Sequence, residues 1–349
     1  MRRIVVIGGR GFFGAAAVEL LRRDGSTPLV VSRRPGADIT ADAENPASLR
    51  AVLRAHDVVV DAAGPFQQRS TRVVEACIAI GCDVIDLADS LDYVVRVQAL
   101  APAIAGAGVR VLTACSSVSA VSAALVRLSG AQAPVRVSTF LAPATRNTST
   151  AATSMSLLST LDRPVRLVRE GSLVEHRAFS QARLFEFPQP IGRISARLAE
   201  SADAVTLPIA WPSLRDVDFW VDTRRPVLNT LIAAAARSRS LRSAIRVAQG
   251  MGRRLTKRLG SASGGFGIDL ADTNGVRRSS GFFHSSHSYI VAVAPAVLAA
   301  RRLAAGTFGS SSGLVHPDRQ VDPWELVTYL RGAGIRDFGI PSQPAGLRR

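Results

Sequence analysis

Short apolar runs alternate with helical spacings through the first 128 residues. Ile4–Ile7, Pro28–Ser32, Ala37–Thr40, Val58–Ala63, Asp83–Leu87 and Val109–Thr113 have strand length and are rich in β-branched residues. That is the composition of parallel strands buried on both faces. Between them Ala15–Arg23, Pro46–Ala55, Thr71–Ile80 and Leu91–Ala107 read as helices, with Gly81 and Gly108 as stops. The alternation predicts a six-stranded, doubly wound parallel sheet over residues 1–128. One helix is missing from that plan. The Pro35-Gly36 turn leaves no room for a helix between the second and third strands, and Asp42 comes close to that gap.

After residue 128 the pattern changes. Val135–Pro143 reads as a strand, and residues 144–156 are rich in Thr, Ser and Ala and can start a helix. Residues 164–225 mix short strands with Pro188, Pro190, Pro208 and Pro212, as in an antiparallel sheet that covers a site. Gly281–Ala292 again has strand character, and Ala294–Ala305 and Pro323–Gly332 read as helices. The expected architecture is α/β: a Rossmann-type parallel sheet in 1–128, an inserted, mostly antiparallel α/β domain in 129–290, and helices in 291–349 that return to the first domain.

The chemistry begins at the first strand. Gly9, Gly11 and Gly14 make G-x-G-x-x-G directly after Ile4–Ile7 and open a helix, the order that binds a dinucleotide pyrophosphate at a helix N-terminus. About twenty residues on, where an NAD site places a carboxylate for the ribose 2′-hydroxyl, the chain has Ser32, Arg33 and Arg34. Guanidinium forks bind a 2′-phosphate that a carboxylate would repel, so the cofactor expected is NADP(H) rather than NAD(H).

Composition changes the picture little. A length of 349 residues suits two domains, and no apolar run reaches the length of a membrane span. Met1-Arg2-Arg3 leads into the first strand, because the apolar stretch after it is too short for a signal peptide. Cys77, Cys82 and Cys115 lack metal-ligand spacing and suit reduced thiols in the cytoplasm. The net charge of +16 is spread along the chain with no nucleic-acid motif. Its densest part, Arg237–Arg258, holds no acid and reads as a solvated helix face. The sharper alternative is a docking patch for an anionic substrate, a carrier or a membrane. Lys257 is the only lysine, and Arg253 stands four residues before it. A Tyr-x-x-x-Lys acid–base pair is therefore absent.

Several separated segments share one resemblance. Val5 to Gly14, Asp57 to Phe66, Val73 to Asp89 and Cys115 to Ser122 are similar to the saccharopine dehydrogenase-like family, in its NADP-binding reductase branch. The likeness is specific over about the first 125 residues and loose beyond residue 140. It implies that Gly9, Arg10, Gly11, Phe12, Phe13 and Gly14 hold the pyrophosphate, and that Ser32, Arg33 and Arg34 hold the 2′-phosphate. Ala63, Gly64, Pro65 and Phe66 would lie along the nicotinamide. Asp86, Asp89, Cys115, Ser116 and Ser117 would rim the space in front of it. It also implies a capping domain that pairs subunits into a homodimer, and hydride transfer, often to an imine.

Candidate acid–base groups are Asp89, Cys115 and His284. His287 stands three residues from His284 in a strand-like segment, which predicts that the two face opposite sides. Arg146 and Asn147 are placed to grip a substrate carboxylate, and no residue spacing suggests a metal. The expectation is a cytoplasmic NADPH-dependent oxidoreductase acting on a C=N, C=O or activated C=C bond of a small metabolite. The alternative is an NADP(H)-binding sensor or scaffold without turnover.

Overall fold

The computed structural model describes residues 1–150, 161, 163–245, 247, 258 and 260–343. In chain order the strands of the N-terminal half are β1 (Ile4–Ile7), β2 (Leu29–Ser32), β3 (Ile39–Thr40), β4 (Val58–Asp61), β5 (Asp83–Asp86) and β6 (Arg110–Leu112). They are followed by β7 (Pro134–Ala142), β8 (Val165–Arg169), β9 (Ser172–His176), β10 (Ala182–Glu186), β11 (Arg193–Ala199), β12 (Asp216–Val221), β13 (Gly264–Asp272), β14 (Arg277–His284), β15 (Gly313–Leu314) and β16 (Arg336–Phe338).

The first sheet is parallel, in the order β15-β6-β5-β4-β1-β2-β3. Its side chains alternate between two cores. Ile4, Val6, Val58, Val60, Ile85 and Leu112 face one; Val5, Ile7, Val31, Val59, Val84 and Val111 face the other. Strand order reverses at β1, with β2 on one side and β4 on the other. The crevice for a ligand in such a sheet lies at the carboxyl ends of these strands. No helix intervenes between β2 and β3, as the Pro35-Gly36 turn predicts.

The second sheet is mixed and mostly antiparallel, in the order β10-β11-β12-β7-β13-β14-β16, with β8 beside β12 and β9 beside β8. The β7–β12 pair is its parallel contact.

Two regions differ most from the sequence reading. The helix expected over Leu91–Ala107 is two, Leu91–Ala99 and Ala101–Ala107, because Pro102 in the first turn of the second has no N–H to continue the first. The strand expected over Gly281–Ala292 stops at His284, and a helix runs Ile290–Ala305. The tail serves both sheets. Helix Ile290–Ala305 packs on helix Phe12–Arg23 and on β4 and β5, and β15 extends the parallel sheet. Strand β16, however, pairs with β14 in the second sheet. No helix among the described residues is long and apolar enough to cross a membrane. Of the basic segment Arg237–Arg258, positions 246 and 248–257 lie outside the described residues.

Candidate active site

The loops after β1, β2, β4, β5 and β6 lie at the carboxyl edge of the parallel sheet. The first follows β1. Gly8 has φ +76°, and a Cβ there would fall 2.7 Å from Ala63 N and Cα, so this loop lies flat against the one that follows β4. A Cβ on Gly14 would overlap the Gly8 carbonyl. The turn is closed by Gly11 N–H to Gly8 O at 2.7 Å and by Gly8 N–H to Val31 O at 2.8 Å. Helix Phe12–Arg23 then starts with neither a side-chain cap nor an acid in its first turn. Its leading N–H groups and positive end are left for an anion, a cradle that fits a pyrophosphate.

Cationic side chains gather at the end of β2. Ser32 is buried, and its hydroxyl accepts Arg34 N–H at 3.1 Å. Arg34 donates to Arg10 O at 3.1 Å, and the Arg10 guanidinium lies over Gly36, where a Cβ would sit 3.4 Å from Nη2. Arg33 is exposed, with its guanidinium 3.9 Å from an Asp42 carboxylate oxygen. Arg10 thus shares the β2 end with Arg33 and Arg34, although its place in the glycine motif pointed to the pyrophosphate.

The loops after β4, β5 and β6 are fixed by buried carboxylates. Asp61 and Asp86 are register partners at the ends of β4 and β5, both without solvent contact. Each turns back on its own loop: Asp61 Oδ1 accepts Ala63 N–H at 3.0 Å, and Asp86 Oδ1 accepts Ala88 N–H at 3.0 Å. Arg69 neutralises Asp61 at 3.0 Å and also donates to Ala63 O and Glu44. Asp86 has no such cation. It accepts Ala114 N–H at 2.8 Å, and its Oδ2 and the Tyr93 hydroxyl have no partner among the described residues. Burial pushes the Asp86 carboxyl up to about 7, with the Ala114 and Ala88 N–H bonds pulling the other way.

The loop after β6 is strained. Ala114 has φ +53° and Ser119 φ +73°, conformations that persist only where the surroundings impose them. Those surroundings are Asp86 at one end and Asp203 at the other. Asp203, fully buried in the first turn of helix Asp203–Ala210, accepts Ser119 N–H at 2.7 Å and the Ser122 and Thr139 hydroxyls at 2.9 Å each. One carboxylate therefore ties the loop, the helix Ala120–Leu128 and strand β7 together.

Residues 4–112 match the family model described as the saccharopine dehydrogenase NADP binding domain. This stretch, which holds β1 to β6, is similar to that domain. A relative from Arabidopsis thaliana named "Probable mitochondrial saccharopine dehydrogenase-like oxidoreductase" is 27% identical over 123 residues, 28% of this chain. That match spans 27% of the relative's length. The apo saccharopine dehydrogenase (L-Glu forming) of Saccharomyces cerevisiae superposes with a TM-score of 0.61 at 12% identity. The superposition covers 97% of this chain and 99% of that one, and it shows a shared fold.

Around this sheet edge the candidate side chains are placed as follows. Ala63 to Phe66 form the loop that backs Gly8. Cys115 is completely buried and burial holds its thiol well above the usual range, so it is a packing group rather than a ready acid or nucleophile. Asp89 is exposed and accepts from Gln67 Nε2 at 3.0 Å. Ser116 is buried and donates to Ala292 O at 2.9 Å, tying the β6 loop to helix Ile290–Ala305; Ser117 beside it is half-buried.

The histidines do not face opposite sides. The chain turns after His284, and the two rings lie 5.4 Å apart. His284 Nδ1 accepts N–H from Ser286 at 2.9 Å and from His287 at 2.8 Å, so its Nδ1 carries no proton. Burial, with His287 and Arg336 nearby, lowers its affinity for a proton. Asn147 donates to Ser286 O at 2.6 Å and joins this turn; Arg146 is exposed.

Sequence reasoning missed the connection between this turn and the glycine loop. The Tyr289 ring packs on Phe12 at 4.9 Å and on His287 at 5.8 Å. It is the residue just ahead of helix Ile290–Ala305, a boundary that the strand-like composition of Gly281–Ala292 concealed. Arg69 and Asp203 were also missed. Nothing in a sequence marks an arginine that will be buried, or an aspartate that will bind a serine 84 residues away.

Proposed function

We propose that the protein is an NADPH-dependent reductase of the saccharopine reductase type, transferring hydride to a C=N, C=O or activated C=C bond of a small metabolite. The observation that carries this is the arrangement at the sheet edge. The glycine loop and the Ala63–Phe66 loop share one surface, and the cations of Arg10, Arg33 and Arg34 stand at the β2 end. In this reading the Gly9–Gly14 turn holds the pyrophosphate, and Ser32, Arg33, Arg34 and Arg10 hold the 2′-phosphate. Bound there, the cofactor supplies hydride from its nicotinamide C4.

The acceptor lies between the Ala63–Phe66 loop, Ser116 and Ser117, and the turn of Asn147, His287 and Tyr289. A protonated imine needs no strong acid, which suits a site whose buried thiol and capped His284 offer none. His287, exposed beside the Tyr289 hydroxyl-bearing ring, is the titratable group best placed to serve a carbonyl acceptor. We place the protein in the cytoplasm, where its three free, buried cysteines stay reduced, and as a homodimer paired through the second sheet.

The test is NADPH consumption, followed optically, in mixtures of amines with keto acids, aldehydes or enones. Turnover in any mixture, lost on Gly14→Ala, supports the reductase. Tight NADPH binding with no turnover across the panel favours the sensor or scaffold reading, which the buried Cys115 and the engaged Nδ1 of His284 also favour.

A further inference from the structure

A separate surface has no place in hydride transfer. From Thr223 to Ile268 the sequence carries no acidic residue, and among the described residues Arg224, Arg225, Arg237, Arg239, Arg242 and Arg258 supply its cations. Several arginines elsewhere are tied to carboxylates, Arg163 and Arg166 to Asp92 and Glu200, Arg169 to Asp218, and Arg331 to Asp337. Here Arg225, Arg237, Arg239 and Arg258 are exposed with no carboxylate partner among the described residues.

Apolar side chains point outward from the same stretch. Helix Pro226–Ala235 buries Ile232, Ala233 and Ala235 in the core of the second sheet. On its outer side Val227 is 74% exposed and Leu231, one turn on, 46% exposed. Residues 239–245 are again helical, with Leu241 and Ile245 packed on that core, and Val247 beyond them is 89% exposed. Single exposed aliphatics are ordinary, but three beside the exposed Arg225, Arg237, Arg239 and Arg258 are not.

We infer that this face docks the protein on a bilayer containing anionic lipid. The arginines would meet the headgroup phosphates while Val227, Leu231 and Val247 enter the acyl boundary. Charge complementarity alone would also suit nucleic acid. The stretch from 223 to 265 contains no aromatic residue, however, and single-stranded nucleic acid is held by aromatic stacking. An aliphatic outer face has no use on a phosphate backbone and a direct use in lipid.

The experiment is cosedimentation of the full chain with vesicles of phosphatidylcholine, and with vesicles in which about a third of the lipid is phosphatidylglycerol. Pelleting with the anionic vesicles and not with the neutral ones is expected, with release in about 0.5 M salt. The pair Val227→Asp and Leu231→Asp, and separately Arg237→Glu with Arg239→Glu, should each weaken this binding by roughly tenfold or more. Both double variants should bind NADPH as the parent does, which shows that they are folded. Equal binding to both vesicle types, no binding to either, or variants that pellet like the parent would overturn the assignment. Retention by single-stranded DNA without vesicle binding would assign the face to nucleic acid instead.

Discussion

The loops of the site are held in place by two different means. At the edge of the parallel sheet the glycine turn and the loop after β4 are set by short-range geometry. Gly8 takes a positive φ, Gly14 makes room for the Gly8 carbonyl, and Asp61 caps the residue two positions on. The strained β6 loop and the His284–Tyr289 turn are set by partners far away in sequence: Asp203 on Ser119, Asn147 on Ser286, Tyr289 on Phe12. Geometry within one turn can be read from residue types alone. A contact across the fold exists only after the chain has packed, so this half of the site depends on elements beyond β6 as the first half does not.

The sharpest way to break that contrast is Gly14→Ala. The added methyl has no space beneath the Gly8 carbonyl, so a loss of about 3 kcal/mol in denaturant unfolding is expected, together with loss of NADPH binding in a fluorescence titration. Asp203→Ala should cost a similar or slightly smaller amount, about 2–3 kcal/mol, because Ser119 N–H and the Ser122 and Thr139 hydroxyls lose their acceptor in a dry site. It should leave NADPH affinity unchanged. If affinity falls with Asp203→Ala as it does with Gly14→Ala, the two halves are not independent.

Asp86→Asn separates the pairing of Asp61 from the isolation of Asp86. An unfolded aspartate titrates at about 4, and burial raises the Asp86 carboxyl to about 7 in the fold. Between those values the folded state holds a proton that the unfolded state has lost. This group's contribution therefore falls as pH rises from about 4 to about 7, at up to about 1.4 kcal/mol per pH unit, and is level above that. Asparagine keeps the acceptor for Ala88 and Ala114 and removes the titration. Subtracting the variant's unfolding free energy from the parent's across pH 5–8 should give a difference that moves against the parent as pH rises. A flat difference would mean that Asp86 stays ionised. The smallest effect belongs to His284→Ala, about 1 kcal/mol from two orphaned N–H groups, with NADPH affinity unchanged.

The sequence disclosed one half of the site better than the other, for reasons visible in particular residues. Strand β1, the glycine turn, the cations after β2 and the missing helix before β3 were legible because each is encoded within a few neighbouring residues. Gly8 was not, since the motif begins one position later and positive φ leaves no mark on a glycine's identity. The parity argument for His284 and His287 failed because it assumed a strand continuing through Ser285 and Ser286. The turn there is made by His284 accepting two N–H groups, an interaction that composition does not foretell. Asp86 was placed at the rim from resemblance, but its lack of a cation beside the well-paired Asp61 appears only when Arg69 folds under the β4 loop.

In the proposed function the β2 end selects the phosphorylated cofactor. This is tested most directly by titrating the protein and its Arg33→Ala, Arg34→Ala double variant with NADPH and NADH, following nicotinamide fluorescence. Each charge-assisted contact contributes roughly 1.5–3 kcal/mol, so the parent should prefer NADPH by about tenfold or more, and the variant should lose most of that preference with NADH binding unchanged. Equal affinity of the parent for both nucleotides, or an equal loss for both in the variant, would contradict the assignment.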